Sequence, residues 1–143
     1  MSSAINGNMW YLSRGFSSKY MPNKRVFSVC LDELISQTVS QSAGASSPST
    51  LSPWQTLPDT PLTHSTVLIF NGALLAVGGW KSSAIHLYQP SNSSWVIVGD
   101  LPTEQSKCAC IVLPNGEIFV AGGIDPQCII TNCVDIATLL LSK

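Results

Sequence analysis

Apolar residues in this chain gather into short runs, separated by Gly, Pro, Asn and Ser. Ser65–Phe70 is one run, Asn71-Gly72 follows it, and Ala73–Val77 is the next. The same order returns 44 residues later as Ala109–Leu113, Asn115-Gly116 and Glu117–Ala121. The repeat is wider than the runs. Leu57 to Gly79 (LPDTPLTHSTVLIFNGALLAVGG) aligns without a gap on Leu101 to Gly123 (LPTEQSKCACIVLPNGEIFVAGG), so that Val67-Leu68-Ile69 falls on Ile111-Val112-Leu113. A fixed period of this size points to stacked supersecondary units.

Within each copy, two apolar runs flank Asn-Gly, a pair that adopts the positive φ of a type I′ turn with little strain. Each copy is therefore expected to fold as an antiparallel hairpin. The runs scarcely alternate, so both faces of these strands should be covered. A glycine pair closes each second run, Gly78-Gly79 and Gly122-Gly123. Without Cβ atoms, these positions permit unusual dihedrals and close approach of another backbone. Ala84–Tyr88 alternates and reads as a third strand, Gln89–Ser94 as a turn, and Trp95–Val98 as a fourth strand.

The flanks are less regular. Asn6-Gly7 is read as a hairpin turn, Met9–Leu12 as a second strand and Arg25–Leu31 as a third. Only Gly15 stands where a glycine pair belongs, and the first strand of this unit looks missing. Asp32–Ser36 adds a turn of helix with Asp32 as its N-cap. Residues 37–53, rich in Ser, Thr, Gln and Ala, read as a flexible insertion that cannot offset its ordering entropy. Trp54–Leu57 is a fourth strand with Trp54 in the place of Trp95. At the far end, Cys133–Leu141 is a third strand in which Val134 and Ile136 match Ile85 and Leu87, and Ala137 replaces Tyr88. Three units result: 5–60, degenerate and carrying the insertion; 61–102, complete; and 103–143, partial.

Four short strands, a glycine pair, then a spaced Tyr and Trp resemble the kelch repeat, one blade of a β-propeller. Gly78, Gly79, Tyr88 and Trp95 carry the resemblance, with Gly122, Gly123 and Trp54 at matching positions. It implies an all-β chain of four-stranded antiparallel blades in an open propeller, because about four to eight blades are needed for closure. It also implies that Tyr and Trp pack between blades, and that two sets of loops open on one end as a binding surface. The first set holds Thr60, Thr63 and His64, with Thr103, Glu104, Gln105 and Lys107. The second holds Trp80, Lys81 and Ser82, with Ile124, Asp125 and Gln127. The implied role is non-catalytic recognition of a protein partner, with the remaining blades belonging to a longer parent chain. A fragment of a propeller enzyme, galactose-oxidase-like or a sugar epimerase, is the alternative, and a truncated gene product without independent function is a third reading.

Composition narrows the chemistry. Charged residues make up 10% of the 143, against a typical ~25%. With a net charge of −1 there is no electrostatic case for nucleic acid or an anionic membrane. No apolar run approaches the ~20 residues of a spanning helix. The opening MSSAINGNMW has no basic start followed by an apolar core, so no secretory signal is read there. Five cysteines without framework spacing favour a reducing, cytoplasmic setting. Cys108 and Cys110 lie two apart on one strand face and read as small buried residues rather than zinc ligands. His64 and Ser65, as strand neighbours, point to opposite faces and do not form a nucleophile–base pair. His86, between Ile85 and Leu87, reads as structural. Neither glycine pair belongs to a phosphate-loop pattern. No catalytic residue, metal or cofactor is assigned.

Overall fold

The computed structural model describes residues 1–13, 24–42 and 53–139. Among these, eleven strands and one helix form an all-β architecture of three separate antiparallel sheets. In the first sheet, β1 (Ser2–Asn6), β2 (Met9–Ser13), β3 (Val26–Cys30) and β4 (Gln55–Leu57) pair in chain order. The helix α1 (Leu31–Ser42) leaves directly from β3. The second sheet holds β5 (Thr66–Phe70), β6 (Ala73–Gly79), β7 (Ser82–Gln89) and β8 (Ser94–Asp100), again in chain order. The third runs β11 (Val134–Thr138), β10 (Glu117–Ala121), β9 (Ala109–Val112). The two copies of the repeat thus become the hairpins β5–β6 and β9–β10 in different sheets.

The second sheet is covered on both faces, which is why its runs do not alternate. One face gives Val67, Leu74, Ile69, Tyr88 and Trp95 to a cluster shared with Val26, Ala4, Tyr11 and Leu57 of the first sheet. The other gives Leu68, Phe70, Leu75, Val77 and Ile85 to a cluster shared with Cys108, Ile118, Val120, Ala137 and Leu139. Thr66 strengthens this second interface, its Oγ1 donating to the Cys108 carbonyl at 2.7 Å.

Several expectations need correction. The first sheet is not short of a strand: β1 begins at Ser2, before the expected boundary at residue 5. Its turn is Gly7-Asn8 rather than Asn6-Gly7, because Asn6 pairs with Met9. Positive φ at Gly7 (56°) and not at Asn8 is the type II′ pattern, in which glycine leads. Residues 37–42 are helical, not part of an insertion. Over residues 31–39 of α1, Leu31, Leu34 and Gln37 are half-buried, spaced three apart. Asp32 lies inside the first turn instead of capping it. Its carboxylate accepts from Asn8 Nδ2 at 2.7 Å, while the Asn8 carbonyl accepts from the Leu31 amide at 2.8 Å. The rest of the insertion (43–52), the loop around Pro22 and the glycine at position 15 lie outside the described residues. In the third sheet, β11 ends at Thr138 rather than running to residue 141.

The register of the second hairpin also differs from the expected one. Asn71 and Gly72 both have positive φ (49° and 78°) and close a two-residue type I′ turn between Phe70 and Ala73. In the second copy, the Gly116 amide donates to the Leu113 carbonyl and only Gly116 has positive φ (83°). That is a type I turn followed by a G1 bulge, the three-residue hairpin loop. Pro114 is the cause: in the I′ register it would stand in the place of Phe70 without the amide that closes the pair, whereas its φ near −65° suits the first central position of a type I turn. The extra loop residue slips β9 by one, so Ile111 pairs with Phe119 where the ungapped alignment would pair it with Val120. A one-residue slip exchanges faces. Cys108, Cys110 and Val112 therefore join the core against the second sheet, and Ile111 faces outward.

Candidate functional site

The glycine pairs mark the end of the molecule where loops from different sheets interlock. Gly78 and Gly79 have φ of 61° and 146°, and the Gly79 amide donates to the Gln105 carbonyl at 3.0 Å. A Cβ on Gly78 would collide with that same carbonyl oxygen, and one on Gly79 would sit 2.7 Å from Leu62 Cβ. The Trp80 amide donates to the Thr63 carbonyl at 2.9 Å, and the Lys107 amide to the His64 carbonyl at 3.0 Å. Ser106 and Ile124 exchange both backbone hydrogen bonds, at 3.1 and 2.8 Å. Four segments, 60–65, 78–82, 103–108 and 122–131, are tied into one rim. Four non-glycine residues of this rim have positive φ: His64, Lys81, Lys107 and Cys128. Such backbone is uncommon and is held here by the crossing hydrogen bonds.

Of the residues expected in the rim, Trp80, Lys81, Thr103, Glu104, Lys107 and Gln127 reach solvent. The Trp80 indole is 39% exposed. His64 meets it edge-on, with ring centroids 6.2 Å apart at 62°, and Lys81 Nζ lies 6.0 Å from the indole centroid. Burial first, then the positive charge of Lys107, holds the His64 imidazole below its ordinary pKa. Thr63 and His64 are half-buried beside the indole.

Four other candidates serve the scaffold instead. Ser82 is the first residue of β7, pairing with Gly79, and its hydroxyl accepts from the Ala84 amide at 3.2 Å. Thr60 is buried and its Oγ1 donates to the Leu62 carbonyl at 2.9 Å. Gln105, 2% exposed, presents nothing to solvent. Its Nε2 donates to Thr103 Oγ1 at 2.7 Å and to Asp135 Oδ2 at 2.9 Å, and Thr103 Oγ1 donates to the same carboxylate oxygen. Asp125 Oδ1 accepts from the amides of Gln127 and Ile129 at 2.9 and 2.8 Å, an Asx-type closure of its own loop. Sequence reasoning missed Asp135 as the anchor of the 103–106 loop. The available signal was a lone acid between Val134 and Ile136 in an apolar strand.

The inter-sheet aromatics are placed by the same stacking. Tyr88 and Trp95 pair across β7 and β8, their ring centroids 5.3 Å apart, and Trp95 Nε1 donates to the Pro58 carbonyl at 3.1 Å. In the first sheet Trp54 lies 5.7 Å from Trp10. His86 is buried on the same face as Tyr88, and desolvation pulls its pKa down against a smaller opposing effect of Asp100. Cys108 and Cys110 bring their sulfurs to 3.6 Å. Sharing a proton at that distance lowers the Cys108 thiol to about 7 and raises Cys110 well above the usual thiol range. Among the described residues, no three His, Cys, Asp or Glu side chains come close enough to hold a metal ion. No helix there is long and apolar enough to cross a membrane.

No protein-family model and no curated protein matches this chain. The solved structure of YjhT is similar over 97% of the chain, with a TM-score of 0.68 at 15% identity. At that identity the likeness is one of fold. This chain spans 42% of the length of that one.

Proposed function

We propose that the three sheets are blades of an open, kelch-type β-propeller, and that the chain is a non-catalytic module that binds a protein partner through its interlocked rim. One observation carries this reading: an exposed Trp80, backed by His64 and flanked by Lys81, stands on loops held rigid by hydrogen bonds between sheets. A large amphipathic ring on a preorganised support is the usual anchor of a protein interface. The buried Gln105 of the rim is spent on Thr103 and Asp135 rather than turned toward a reactant. A cytoplasmic location goes with this reading, since all five cysteines are free thiols.

The test is comparative capture of partners from cell extract by the chain and by its Trp80→Ala variant, with Ile97→Ala on an exposed strand position as control. The reading requires a protein that binds the native chain and the control, and loses at least about tenfold in affinity with Trp80→Ala. Identical binding by all three chains would remove Trp80 and its rim from the interface.

A further inference from the structure

Each inter-sheet contact in this chain joins one type of face to another. The second sheet turns Leu68, Leu75, Ile85 and Leu87 toward the third sheet, and the first three are buried there. In the third sheet, the pairings of Phe119 with Ile111 and Ile136, and of Ala121 with Val134, put Ile111, Phe119, Val134 and Ile136 in those same four places. Ile111, Val134 and Ile136 are more than half exposed. The other end carries the complementary type. Ile5 and Trp10, paired across β1 and β2, stand where Ile69 and Leu74 stand in the second sheet, and Trp54 stands where Trp95 does. Those second-sheet residues are the ones covered by the first sheet. On the first sheet, Ile5 is 60% exposed and Trp10 and Trp54 are half-buried, while Val29 beside Trp10 is buried.

We infer that a second copy of this chain covers both faces, the third sheet of each copy stacking on the first sheet of the other. The inference rests on reading the sheets as blades. Three things favour a second copy as occupant. Among the described residues, the two outer faces are of opposite type, so one chain offers both halves of the contact already made twice inside it. Two copies supply six sheets, within the four to eight at which such rings close. A head-to-tail contact that closes after two copies ends as a dimer with no face left over, rather than as a filament.

The experiment measures the mass of the purified 143-residue chain in solution by sedimentation. The expected mass is twice the 15.3 kDa of one chain. Ile136→Glu and Ile5→Glu should each weaken self-association by about thirtyfold or more, the loss of a buried anchor. Mixed together, the two variants should pair again, because one of the two contacts in the mixed dimer is free of both substitutions. Neither variant can rescue the other if either has failed to fold. A monomer at all concentrations overturns the inference, and if Trp95→Ala still strongly destabilises that monomer, the blade reading survives without the second copy. A dimer that Ile5→Glu leaves intact, or mass that keeps growing with concentration, also overturns it.

Discussion

Gly78 and Gly122 occupy the same position in two copies of one sequence, yet their surroundings differ. Both have left-handed φ, 61° and 66°, so an alanine at either costs about 1–2 kcal/mol in backbone strain. At Gly78 the added Cβ also strikes the Gln105 carbonyl, whereas at Gly122 the nearest atom is Thr131 O at 3.8 Å. Gly78→Ala is therefore expected to destabilise the chain by clearly more than Gly122→Ala in denaturant titration. His86 gives a pH-dependent expectation. Its folded pKa lies below 6.5, so the unfolded chain binds more protons in that range, and stability should fall as pH drops through 6.5 toward 5. His86→Gln should flatten that part of the pH profile. The roles of the glycine pairs were legible from the sequence, since glycine repeated at a fixed spacing has few other uses. The burial of Gln105 was not legible, because a polar residue in a loop reads as exposed until its partner, Asp135 on another strand, is known.

At the scale of elements, the hairpins were plain because Asn-Gly between apolar runs is a local signal. The slip of β9 was hidden, although its cause, Pro114, was in view. An ungapped alignment pairs residues by number, while the ladder pairs them by loop geometry. The difference has a measurable consequence. Asn71 needs positive φ and Asn115 does not, so Asn71→Ala should cost about 1 kcal/mol and Asn115→Ala distinctly less. The helix α1 was underestimated because the Ser, Thr and Val of its second half are indifferent helix formers. It is held by its start, where Asn8 serves both the Leu31 amide and the Asp32 carboxylate from across the first sheet. A contact of that range leaves no mark on local composition.

The whole molecule is a stack in which the middle sheet is the most enclosed, and aromatic side chains join it to the first. Trp95 packs against the first sheet and donates to Pro58, so Trp95→Ala should cost about 3 kcal/mol in equilibrium unfolding. A change of a few tenths would mean that this interface does not bear on stability. The two copies of the repeated segment lie in two sheets stacked face to face, with β9 slipped by one residue. Methyl NOEs on the folded chain test it directly. Contacts are expected from Leu75, Val77 and Ile85 to Ile118 and Val120, and none from these three to Ile111 or Ile136. Contacts from Ile111 into that cluster, or silence between the two sets, would contradict it.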